Sequence, residues 1–143
     1  MTRPALGQSA TAAVQQAIAS AGGPYGKAQQ GGQEWYTAIA SGGAAAALNL
    51  NLGNVFSVTL DNVTCAISIT NVPTIANRIA SIVVLLTQDA VGGRLVTWPA
   101  GTKWPGAAAP TLTIAPNALD IVSLFTRDNG ATWIGNPGLI DVR

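Results

Sequence analysis

Val55-Phe56-Ser57-Val58-Thr59-Leu60-Asp61-Asn62-Val63-Thr64-Cys65-Ala66-Ile67-Ser68-Ile69-Thr70 is the stretch that decides the fold class. Phe56, Val58 and Leu60 alternate with Ser57 and Thr59. Val63, Cys65, Ile67 and Ile69 then alternate with Thr64, Ala66, Ser68 and Thr70. A period of two puts one set of side chains on one face of an extended strand. Asp61-Asn62 between the runs is turn chemistry. The stretch therefore reads as a hairpin with one apolar face.

The same period extends outward. Leu48, Leu50 and Leu52 alternate with Asn49 and Asn51 before Gly53-Asn54. Ile82-Val83-Val84-Leu85-Leu86 is apolar on both faces, so that strand is expected to be central or to bury its second face in a subunit contact. Gln88 to Gly93 turns the chain, and Arg94 to Trp98 returns as a strand. A short strand is expected around Leu112 and Ile114. Leu119 to Thr126 reads as another, with Ile121 and Phe125 on one side and Val122 and Leu124 on the other. Asn129-Gly130 favours a primed turn, and Ala131 to Ile134 closes that hairpin. Eight or nine short strands with no long helix among them predict an all-β domain over residues 44–143, an antiparallel β-sandwich or jelly-roll. No internal repeat stands out.

Residues 1–43 differ: they are rich in Ala, Gly, Gln and Ser. They read as an N-terminal arm, extended or partly helical, with Ser9 or Thr11 capping a thin stripe of Val14, Ala17, Ile18 and Ala21. Gly22-Gly23-Pro24 and Gly31-Gly32 break it. The aromatic residues Tyr25, Trp35 and Tyr36 are its expected contact points with a partner, or they fold back onto the β domain.

Composition narrows the function. Only 9% of the 143 residues are charged, against about 25% in typical domains, which implies surface covered by copies of the chain or by a partner. Seven scattered Lys and Arg residues give a net charge of +1, a poor basis for nucleic-acid binding. No apolar run approaches a membrane span, and the N-terminus does not read as a signal peptide. There is no His, so the commonest general base and metal ligand is missing. Cys65 is alone and cannot form an internal disulfide; its place in an alternating run marks it as a buried small residue. Of the six carboxylates, Asp61, Asp89 and Asp128 fall in turns, where Asp bonds its own backbone. Asp120 lies in a strand and is expected to pair with Arg94 or Arg78. No pair is placed for glycosidase chemistry, and no spaced calcium motif appears. No catalytic residue, metal or cofactor is expected.

The remaining feature is Val96-Thr97-Trp98-Pro99 with Lys103-Trp104-Pro105-Gly106, Pro110-Thr111-Leu112, Asp120, Phe125-Thr126, Asp128, Gly130, Thr132-Trp133 and Gly135. This series resembles a module of tailed-bacteriophage virion proteins found near the ends of tail fibres and in small head or tail surface proteins. The pattern differs at Asn129, where the family usually has glycine, and at Ile134, where it often has an aromatic residue. The resemblance implies a non-enzymatic virion structural protein, a homotrimer displayed on the virion surface and made in the host cytoplasm. The main expectation is a capsid decoration protein that holds the major capsid protein through the 1–43 arm, since 143 residues is short for a fibre with a long shaft. The alternative is a tail-fibre or receptor-binding adhesion module. In it Trp98, Trp104 and Trp133 stack on a host surface glycan, where otherwise they anchor the core and the loop.

Overall fold

The computed structural model describes residues 34–142. The described residues contain the strands β1 (Tyr36–Ile39), β2 (Ala45–Asn49), β3 (Val55–Leu60), β4 (Thr64–Thr70), β5 (Ala80–Gln88), β6 (Leu95–Thr97), β7 (Leu119–Thr126) and β8 (Ile134–Val142). They form two sheets. Sheet A has the order β1-β3-β5-β7-β8, and sheet B has the order β2-β4-β6. The inward residues of both sheets make one core, including Leu48, Phe56, Val58, Ile67, Val84 and Leu124. The protein is all-β, as its alternation predicts.

Strand direction departs from the predicted antiparallel sandwich. β1, β3 and β5 pair in parallel, as do β2, β4 and β6. The chain alternates between the sheets, so β1–β2, β3–β4 and β5–β6 are three successive coils of a flattened solenoid. β3 and β4 are therefore not a hairpin. The segment Asp61-Asn62-Val63 is a corner that carries the chain from sheet A to sheet B. Corners of neighbouring coils are tied together. The Asp61 carboxylate accepts the Gly43 N–H at 2.8 Å and the Ser41 hydroxyl. Asn71 Nδ2 donates to Asn49 Oδ1 at 2.8 Å. Each bond satisfies a group that a turn would otherwise leave to water.

The last two strands reverse this logic. β7 pairs antiparallel with β5, and β8 antiparallel with β7. β7 matches its predicted limits and faces: Val122 and Leu124 are fully buried, while Ile121 and Phe125 look outward. The predicted hairpin after it forms with a longer connection. Asn129 and Gly130 take φ of 57° and 89°, the left-handed conformation that Asn-Gly favours. The predicted strand at Leu112 and Ile114 does not form. Instead residues 98–118 make a long connection with a short 3-10 turn at Pro105–Ala107. It is held to the body by Lys103 N–H on the Trp133 carbonyl at 2.7 Å, Gly93 N–H on the Ile114 carbonyl at 2.8 Å, and Asn117 N–H on the Asp89 carbonyl at 3.0 Å.

Most of the expected arm, with its short helix and Tyr25, lies outside the described residues. Its last part belongs to the β domain: β1 is the edge strand of sheet A.

Candidate functional site

The 98–118 connection and the 127–133 turn approach sheet B at one place. Thr126, the last residue of β7, has a buried side chain whose Oγ1 donates to Asp128 Oδ1 at 2.7 Å and accepts the Gly130 N–H at 2.9 Å. Asp128 also accepts the Thr132 N–H at 2.8 Å. These bonds fix the turn and hold the Asp128 carboxyl below its ordinary range, chiefly through the Thr132 N–H. The turn lies on the 71–79 segment, where a β-carbon added at Gly130 would sit 3.1 Å from Val72.

Trp133 follows this turn and is 3% exposed, inside the common core. Lys103 bonds the backbone on either side of Ile134, donating to Trp133 and accepting from Gly135 at 2.8 Å. That strap places Trp104 over β8. A β-carbon on Gly135 would lie 2.2 Å from the Trp104 ring, so glycine is required for the indole to rest on the backbone. Trp104 meets Trp98 edge-on, with ring centroids 5.1 Å apart and planes at 61°, a favourable aromatic geometry. Both rings are partly buried and pack against the core.

The result is an open groove of about 500 Å³ between β4 and the end of β6. Ile67 and Ile69 of β4, Trp98, Pro99, Gly130 and Trp133 supply its apolar lining. Ser68 and Thr97 add exposed hydroxyls, and no charged residue lines it. The structure thus brings together the three tryptophans that the sequence singles out, in unequal roles. Trp98 offers a part-exposed ring to the groove. Trp133 closes it from the core, and Trp104 braces Trp98 from outside the lining. Ser68, Ile69 and Thr97 are missed by sequence reasoning, because only the β4–β6 pairing brings them to Trp98.

Trp35 and Tyr36 lie elsewhere, at the start of β1, 43% and 59% exposed. The Tyr36 hydroxyl is 2.6 Å from Ser57 Oγ, and the Trp35 carbonyl accepts the Asn54 and Val55 N–H groups, each at 3.1 Å. Both residues thus fold back onto β3 or the turn before it while keeping exposed ring surface.

The carboxylates do not assemble a reaction centre. Asp120 is buried and accepts the Thr113 and Asp141 N–H groups at 2.6 and 2.8 Å. The expected Asp120 pairing with Arg94 or Arg78 gives way to these amides. Arg94 instead meets Asp89 at 2.6 Å. That guanidinium, with the Gly92 and Val91 N–H groups, brings the Asp89 carboxyl down to about 2. Among the described residues no group of three His, Cys, Asp or Glu side chains is placed to hold a metal ion. No described helix is long and apolar enough to cross a membrane.

The described residues thus form a parallel-coil body closed by an antiparallel pair, with an aromatic groove where the two meet. A family model described as "Putative phage tail fibre C-terminal domain" matches residues 41–131, from the corner before β2 to the turn after β7. The chain belongs to this family and is a bacteriophage structural protein of the virion. No curated protein and no solved structure matches it.

Proposed function

We propose that this protein is a non-enzymatic adhesion module of the tail-fibre type, and that the Trp98 groove takes an uncharged sugar ring of a host surface glycan. The observation that carries this reading is the groove itself. A part-exposed indole faces hydroxyl-bearing residues in an apolar recess without a charged side chain. The C–H face of a pyranose suits the electron-rich face of an indole. Ser68 and Thr97 can exchange hydrogen bonds with ring hydroxyls. The lack of a cation in the lining favours neutral sugars over acidic ones.

The family match supports this reading over attachment to a capsid. Capsid decoration rests on the 1–43 arm, of which residues 1–33 lie outside the described region. It predicts binding to bare capsids that is lost when residues 1–40 are removed.

The test is titration of the full chain with host surface polysaccharide, followed by tryptophan fluorescence and calorimetry. Saturable binding is expected, weakened about tenfold or more in Trp98→Ala, with an unchanged far-UV spectrum. Binding that survives Trp98→Ala at full strength would overturn the groove assignment.

A further inference from the structure

We infer that the outer face of sheet A is the contact between copies of this chain. β5 carries apolar residues on both sides, with Ser81 and Thr87 flanking Val83 and Leu85 on the outward one. Its inward residues Ile82, Val84 and Leu86 are at most 2% exposed in the core. Its outward residues Val83 and Leu85 belong to no part of that core. The register aligns them across the sheet: Val55 stands opposite Val83, Leu85 opposite Ile121, and Ile121 opposite Leu139. Phe125 extends the same face, and Leu139 is 61% exposed. Solvated faces of antiparallel or mixed sheets ordinarily carry polar and charged side chains. Here β1, β3, β5 and β7 place no charged residue on the outward side, since Asp120 of β7 points into the core.

The size suits association. Five strands about 4.8 Å apart and about 13–30 Å long present roughly 500–700 Å² per copy. Two such faces approach the roughly 1,200–2,000 Å² buried in specific interfaces. A second copy is the occupant that this chemistry fits. On β1, β3, β5 and β7 the face is uncharged, its apolar residues interleaved with the small hydroxyls of Ser57, Thr59, Ser81, Thr87 and Ser123. Nothing on it therefore repels a second copy, and an isologous contact uses one patch on both partners. The protein's 9% charged share leaves little surface designed for water alone. The groove is lined by β4, the end of β6 and the turn after β7. It uses none of these outward residues, so association and glycan binding can fail separately.

Sedimentation equilibrium of the full chain, over on the order of 1 to 100 μM, tests this. The expected mass is a multiple of 14.5 kDa. Leu85→Lys should raise the dissociation constant about a hundredfold or more, because a cation would be buried without a partner. Leu139→Lys combined with Tyr36→Lys makes the same test at positions 61% and 59% exposed, where folding is not at risk. The double variant should keep its far-UV spectrum and dissociate. A full chain that sediments at 14.5 kDa throughout, whether because residues 1–33 or another virion protein covers the face, overturns the proposal. So does an oligomer unaffected by the folded double variant.

Discussion

β7 is written in the same alternating pattern as the coils of β1 to β6, yet the coils and the closing pair β7–β8 spend their turns differently. In the coils, Asp61-Asn62-Val63 crosses between sheets, and β3 finds its partner β5 a full coil away. In the closing pair, Asn129-Gly130 folds the chain back so that β8 pairs with the strand just before it. Both regions send residues into one core, Phe56 and Val84 from the coils, Val122 and Leu124 from β7, and Trp133 from just before β8. The difference lies only in which strand receives the backbone hydrogen bonds. The groove forms at the seam, where a side of the coil stack meets the turn of the closing pair.

The largest test of this contrast asks whether the two regions fold together. Trp133→Ala in the closing region and Phe56→Ala in the coils each empty a buried aromatic site, at 3% and 0% exposure. Each should cost about 3–5 kcal/mol. In urea, circular dichroism and tryptophan fluorescence should report one shared transition for the parent and for both variants. Two separated transitions would break the idea of a common core.

A narrower change sharpens the seam. Gly135→Ala drives a methyl into the Trp104 ring and should cost about 1–3 kcal/mol. Fluorescence should reveal Trp104 leaving Trp98, and glycan affinity should fall with it. Unchanged emission and affinity would show that the brace is dispensable.

Acid should act on corners and turn alike. The carboxyls of Asp61, Asp89 and Asp128 all lie below the ordinary 3.8, each held down by hydrogen bonds that favour its ionised form. A depressed folded-state value means stability that is present above about pH 4 and lost as pH falls, for Asp89 toward about 2. Melting temperature should therefore decline between pH 4 and 2. Asp89→Asn should flatten part of that decline. Because these groups are at the surface, added salt should shrink the effect.

The smallest expected effect concerns Cys65. Burial pushes its thiol up, and the side chain is 0% exposed. A thiol reagent should leave it unmodified in the folded protein and label it in denaturant. Rapid labelling of the native chain would mean that the corner over β4 opens.

Most inward positions were legible in the sequence, because alternation is a local property. Leu48, Phe56, Cys65, Val84 and Val122 all point where their spacing puts them. Strand direction was not legible, because a corner and a hairpin can share the same polar residues. The coils also hide from a repeat search. Tyr36 lies opposite Val55, Val55 opposite Val83, and Thr64 opposite Leu95, so successive coils differ in length. At the site, the Trp–Pro steps drew notice by type alone. Ser68 and Ile69 carry no such mark, and become groove residues only because β4 lies beside β6.

The long connection between β6 and β7 is fastened at Lys103 on one side and at Ile114 and Asn117 on the other, while Ala107, Ala108 and Ala109 between these anchors are exposed. A foreign epitope spliced between Ala108 and Ala109 should thus be displayed without unseating either anchor. The same crest offers engineers an insertion point that leaves the Trp98 groove untouched.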